Sequence, residues 1–206
     1  MRRRSWSRVA GALTAGLGLA ALPALSAGTA ASAHAAEACT TRTVSQPFTP
    51  WGDTNDYFLM TSGTFESGTT GWTLGSGVSR VAENEPWKVA GGTSSLKIPG
   101  GASVSTPKMC VASTEDSARF FYKSPGGYAT LQVSIKAKNS VSNNLYITGF
   151  TLQTGAVPGW QVSPRIALPD VRGTQGVEDL TITLTPSSGT GAWQIDDVYV
   201  DPSRTR

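Results

Sequence analysis

Between Leu180 and Thr185 the chain reads Leu-Thr-Ile-Thr-Leu-Thr, an unbroken alternation of apolar and polar residues. A repeat of two buries one face of a β-strand and cannot bury one face of a helix, where same-side residues recur every three to four positions. The alternation returns at Leu131, Val133 and Ile135, with Gln132 and Ser134 between them, and at Leu96 and Ile98 around Lys97. Shorter runs at 57–60, 72–74, 78–81, 102–106, 109–111, 119–123, 145–152, 165–168 and 193–200 read as further strands. Gly, Pro, Ser and Asn separate them roughly every ten residues, and no stretch holds a helical period long enough to make a helix. The expectation is an all-β chain, folded as a single antiparallel β-sandwich of about ten strands wound as a jelly roll.

The first residues stand outside this pattern. Arg2, Arg3, Arg4 and Arg8 precede an apolar run from Val9 to Leu25 and a small-residue stretch ending Ala31-Ser32-Ala33-His34-Ala35. Basic, apolar and A-x-A-like regions in that order read as a secretory signal peptide over 1–35, and Gly16, Gly18 and Pro23 argue against a retained membrane helix. The organisation expected is a signal peptide at 1–35, an extended arm at 36–56, the sandwich at 57–201 and a short tail at 202–206, in an extracellular protein that is not an integral membrane protein.

Export changes the charge argument. Four of the 17 basic residues leave with the signal, so that 13 face 14 acidic ones. No basic cluster remains to engage nucleic acid or an anionic lipid surface. The single histidine, His34, also leaves when cleavage follows Ala35, which excludes a His-based catalytic triad and a His-ligated zinc site. Cys39 and Cys110 read as a disulfide in an oxidising compartment. Closing that loop of about 70 residues contributes about 4 kcal/mol in the chain-entropy picture.

In the arm, Gln46-Pro47-Phe48-Thr49-Pro50-Trp51 reads as a segment laid across the domain, with Phe48 and Trp51 as anchors. Glu83/Glu85, Glu115/Asp116 and Glu178/Asp179 are the carboxylate pairs available to a hydrolase. Glycoside hydrolysis needs two carboxyls facing one another across a bond, which sequence neighbours do not supply by themselves. These pairs read as solvated loop charge, and the chain reads as non-catalytic.

Three short motifs carry a resemblance. Phe65, Glu66, Gly68, Gly71 and Trp72 form Phe-Glu-x-Gly-x-x-Gly-Trp, read as a strand running into a Gly-rich turn; Ser95, Leu96, Lys97 and Ile98 follow a Gly-rich loop; and Ile195, Asp196, Asp197, Val198 and Val200 form a closing strand. Together they resemble the galactose-binding-like β-jelly-roll carbohydrate-binding modules found beside bacterial xylanases and β-glucanases. The resemblance covers about 57–200 and implies that the first and last core strands lie side by side. It also implies a structural calcium held by Glu66 and Asp196, with Asp197 as a further ligand, which suits a cation that takes six to eight oxygens. Ser62 departs from the pattern, which usually has Asn there. Neighbours on a strand face opposite ways, so Asp196 and Asp197 also read as a surface pair at a bulge.

Sugar rings stack on exposed aromatic faces while their hydroxyls take polar partners. Trp72 and Trp193 fall inside strand motifs and read as core. Trp87 and Trp160 follow Pro-containing loops, and Tyr128 follows Gly126-Gly127; these three are the ligand-contact candidates, with Gln161 and Arg165 as polar helpers. The function expected is a secreted, non-catalytic carbohydrate-binding-like module whose partner is a polysaccharide or cell-envelope component. The alternatives are an envelope structural or protein-interaction domain without sugar affinity and, third, a stand-alone carboxylate-based glycan hydrolase.

Overall fold

The computed structural model describes residues 42–111, 117–139, 144–169 and 178–201. The signal peptide, Cys39 and the tail at 202–206 lie outside the described residues. Thirteen strands follow one 3-10 turn (Thr49–Trp51) in this part of the chain: β1 (Phe58–Leu59), β2 (Thr73–Leu74), β3 (Ser79–Val81), β4 (Ser95–Ile98), β5 (Val104–Ser105), β6 (Met109–Val111) and β7 (Ser117–Ser124). They continue as β8 (Thr130–Asn139), β9 (Leu145–Gln153), β10 (Gly159–Val162), β11 (Ile166–Ala167), β12 (Glu178–Pro186) and β13 (Trp193–Val200). Among the described residues no helix is long and apolar enough to cross a membrane.

The strands make two antiparallel sheets. One runs β10-β7-β13-β4-β3, with β1 added to β13 and β11 to β7; the other runs β2-β5-β12-β8-β9, with β6 added to β12. This is the jelly-roll sandwich that the alternation predicts, and the alternating residues do what a period of two requires. Leu180, Ile182 and Leu184 of β12 and Leu131, Val133 and Ile135 of β8 are buried against Leu96, Ile98, Phe120, Trp193 and Ile195 of the opposite sheet. Each such aliphatic side chain contributes about 1.5–3 kcal/mol by leaving water. Trp72 and Trp193 belong to this core, as their strand motifs imply.

First and last strands are neighbours: Phe58 pairs with Val200 and Leu59 with Tyr199. The motif from Thr64 to Trp72 is nevertheless a succession of turns and not a strand. Phe65 adopts a left-handed φ of 57°, which breaks a strand and drives its ring inward to meet Trp72 edge-on at 4.9 Å. The motif therefore acts as a core plug beside β13, and the Trp72 Nε1–H donates to the Thr61 carbonyl at 3.0 Å.

The outer face of the β7–β13 sheet is covered along half its length. Phe48, Tyr57, Phe121 and Tyr199 form a second buried aromatic cluster there, edged by Trp51, Val89, Trp160 and Val162. The arm is not fully extended, because the 3-10 turn at Thr49–Trp51 folds Trp51 back onto Phe121, with 5.3 Å between ring centroids. Ser45 and Tyr57 bridge the ends of this segment by a pair of backbone hydrogen bonds.

Candidate functional site

Beyond the covered half, one row of side chains crosses the outer face of the same sheet. Trp160 is in register with Lys123, Lys123 with Gln194, Gln194 with Lys97, and Lys97 with Ser79. Five strands at about 4.8 Å spacing make a row about 19 Å long. These residues alternate with Tyr122, Ile195 and Leu96, which turn into the core, so the row faces outward. Trp160 is on β10, and not in a loop as its Val157-Pro158-Gly159 prefix suggests. The strand starts at Gly159 itself, which pairs with Ser124.

Glu83 sits over the middle of this row. Its carboxylate pairs with the Lys123 ammonium and accepts from Gln194 Nε2 at 2.9 Å and Trp160 Nε1 at 3.3 Å. Gln194 Oε1 in turn accepts from the Ser95 hydroxyl at 2.8 Å. The Lys123 bond, helped by Gln194 and against burial, holds the Glu83 carboxyl below its ordinary pKa. Polar groups locked in place beside an indole suit a ligand that offers both hydroxyls and an apolar ring face.

Trp87 forms the wall between this row and the covered half. It is 45% exposed, meets Trp51 edge-on at 5.1 Å and tilts against Phe121 at 5.6 Å. Trp87 and Trp160 thus share one face, both packed around the Phe121 cluster. Tyr128 stands apart at the tip of the β7–β8 turn. It is 66% exposed, its φ is 57°, and its N–H donates to Gly155. Gln161 and Arg165 are not part of the row, since Gln161 accepts from the Tyr122 hydroxyl at 2.9 Å and Arg165 pairs with Asp201 at 3.0 Å. Lys97, Lys123, Gln194 and Glu83 escape sequence reading because their alignment arises only from strand register. The period-2 signal at Lys97 marks it as outward and nothing more.

Behind the wall lies a group of acids. Glu85, Asp196 and Asp197 have no solvent exposure, which corrects both the reading of Glu85 as solvated loop charge and that of the Asp pair as surface residues. The bulge itself is real: the β13–β7 register shifts between Asp196 and Tyr199, and Asp197 takes a left-handed φ of 47°. The extra residue turns both carboxylates under the 83–91 loop, where the chain covers them. Asp196 accepts from the Asp197 N–H at 2.9 Å and the Glu85 N–H at 3.3 Å. Burial and then the Asp197 charge push Asp196 up to about 8. Burial, with Glu85 and Glu66 nearby, pushes Asp197 up to about 7.

Glu66 is close enough for its charge to act on Asp197, and its Oε1 accepts from the Thr93 and Ser94 N–H groups at 2.8 and 2.6 Å. Among the described residues no three acidic, His or Cys side chains converge as a ready-made metal site. Two of the buried oxygens without a partner belong to this region: Asp197 Oδ1 and the Asn84 side-chain carbonyl. Uncompensated oxygens among buried acids are the chemistry a hard cation satisfies. Asp197 Oδ1 is thus the open carboxylate oxygen of the group, since both Asp196 oxygens accept from backbone donors and both Glu66 oxygens accept from Thr93 and Ser94; a calcium ion placed there would draw its remaining oxygens from Asn84, Glu66 and backbone carbonyls.

The sequence matches none of the known protein families and none of the characterised proteins. Its fold, in contrast, is shared. The family 22 module joined to a family 10 xylanase of Clostridium thermocellum, solved with xylohexaose, matches with a TM-score of 0.50 and 19% identity over 69% of this chain and 28% of that one. A family 61 carbohydrate-binding module solved with β-1,4-galactotriose matches with a TM-score of 0.49 and 16% identity, covering 70% of this chain and 97% of that one. The family 11 module of Clostridium thermocellum, solved with a mixed-linked tetrasaccharide, matches with a TM-score of 0.45 and 14% identity over 73% and 98% of the two chains. At these identities the likeness is one of fold, the jelly roll of carbohydrate-binding modules.

Proposed function

We propose that this chain is a secreted, non-catalytic carbohydrate-binding module that holds a polysaccharide segment on the row from Trp160 to Lys97, against the Trp87 wall. The observation that carries the reading is the joining of an indole to a prebuilt hydrogen-bonding network at Glu83, on the part of the sheet face that the arm leaves open. A sugar ring stacks on Trp160 or Trp87 and its hydroxyls exchange water for Glu83, Lys123 and Gln194. The fold shared with a module solved with xylohexaose supports a polysaccharide as the ligand class.

Binding without bond cleavage fits the carboxylates. Glu83, the half-exposed acid of the row, is held below its ordinary pKa by Lys123, the opposite of what a general acid needs. The acids with raised values are sealed from solvent. One calcium ion, held by Asp197 and Glu66 with the Asn84 carbonyl and backbone carbonyls, would neutralise the buried charge and fasten the bulge of β13.

The test is native affinity electrophoresis of the purified protein in gels containing xylan, β-glucan or galactan. Retardation by one polysaccharide, lost in Trp160→Ala and Trp87→Ala, is the expected result. Unchanged mobility in every gel, from a folded sample, would reject the reading in favour of an envelope interaction domain.

A further inference from the structure

One loop touches both the acid group and the open face, and its residues divide between them. Glu83 and Trp87 face the row and its wall, while Glu85 is buried among the acids. The Glu85 N–H donates to Asp196 at 3.3 Å, and its carboxylate accepts from the N–H groups of Trp87 and Val89. Next along the loop, the Ala90 N–H donates to Asp197 Oδ2 at 2.9 Å. Asn84 closes the loop by donating to the Gly91 carbonyl at 3.3 Å, with its own carbonyl buried and unpartnered. Four amides of this loop, those of Glu85, Trp87, Val89 and Ala90, are thus held by carboxylates, with Lys88 and Gly91 turning on backbone carbonyls between and after them.

We infer that Glu85 is a positioning residue that couples a hard divalent cation at Asp197 to the orientation of Trp87, making the open face responsive to that cation. The inference rests on the sugar-binding reading for its consequence, but its structural part concerns the loop alone. Without a cation, Asp197 Oδ1 and the Asn84 carbonyl stay buried with no donor, a cost that the loop relieves by opening to water. With a cation on the uncompensated oxygens of Asp197 and Asn84, the acids draw together and Glu85 fixes the amides of Trp87 and Val89. Whatever glycan the wall contacts then binds more tightly, and by linkage the glycan tightens the cation by the same factor.

Calcium chloride alone is the first probe, with calorimetry, amide hydrogen exchange and acrylamide quenching of tryptophan fluorescence on the wild-type chain. Calcium is expected to slow exchange at the Trp87, Val89 and Ala90 amides and to shield an indole, the shielding vanishing in Trp87→Phe while the heat of binding stays. Glu85→Gln keeps the size of the side chain; it should retain calcium binding, lose the amide protection, and lose the roughly tenfold calcium effect on the retarding polysaccharide. Calcium heat with no change at those three amides would overturn the coupling, as would no heat at all. Amide protection in a protein that no polysaccharide retards would uphold the coupling while rejecting the sugar-binding reading.

Discussion

The guanidinium of Arg119 lies 2.7 Å from the carboxylate of Asp53, with both side chains largely out of water. This pair pins the N-terminal arm to the first half of β7, and the Tyr57 hydroxyl adds a 2.7 Å hydrogen bond to the same carboxylate. Removing Asp53 strands a buried cation, so Asp53→Ala is expected to cost about 3–5 kcal/mol in urea unfolding. A loss below about 1 kcal/mol would rank the pair with exposed surface bridges.

The same carboxylate sets an acid limit. Burial raises its pKa, but the bonds from Tyr57 and Arg119 outweigh that and leave it below the ordinary value of 3.8. A folded-state value below the unfolded one gives stability that is present above about pH 4 and lost as pH falls through the depressed value. Wild-type stability should therefore drop below about pH 4, and Asp53→Asn should flatten that part of the profile.

The buried acids on β13 act in the opposite direction. Their folded values, about 8 for Asp196 and about 7 for Asp197, lie above the ordinary 3.8. The folded chain then holds more protons than the unfolded one, so in a chelator stability should decline as pH rises from about 4 to about 8. Saturating calcium should abolish the decline and raise the melting temperature at pH 8 by ligand linkage. Superimposable profiles with calcium and chelator would remove the metal from the account.

Trp160→Ala and Trp87→Ala should each weaken polysaccharide binding by about tenfold. Both indoles also pack around the Phe121 cluster, so each variant is compared at a temperature where its melting curve shows it folded. Trp193→Ala is the contrasting variant: its side chain is wholly buried, and it should lose about 3–5 kcal/mol of stability.

Glycine is required at position 92. A Cβ there would sit 2.3 Å from Glu66 Oε1, on a backbone with φ of 105°. Gly52 also has a left-handed φ, 77°, but open space around it. Gly52→Ala should cost about 1–2 kcal/mol from conformation alone, and Gly92→Ala more, with reduced calcium affinity because Glu66 is displaced. Equal costs in thermal melts would count against the Glu66 cradle.

What could be read in the sequence follows from what is local. Thr-spaced Leu180, Ile182 and Leu184 announce their strand because period two is a property of consecutive residues. That the first and last strands are neighbours is legible through the resemblance, although the strand beside β13 is Phe58–Leu59 and not the Thr64–Trp72 motif; the burial of Trp72 and Trp193 is legible from their places in the motifs. Trp160 misleads because a proline and a glycine precede a strand that begins at once. The burial of Glu85 and Asp197 is hidden because it depends on a bulge in β13 meeting a loop more than 100 residues earlier. The Trp160-to-Lys97 row is hidden for the same reason, since four strands contribute its first four residues and no two are adjacent in sequence.

The pairing of Phe58 with Val200 also governs when the molecule can come into being. β13 lies between β7 and β4 and carries β1 on its edge, so the sheet that bears the open face lacks its middle until the last strand is made. A chain leaving a ribosome holds β4 and β7 without the strand that lies between them. Folding must await the closing segment, and the long sequence separation of these pairs makes that final step slow.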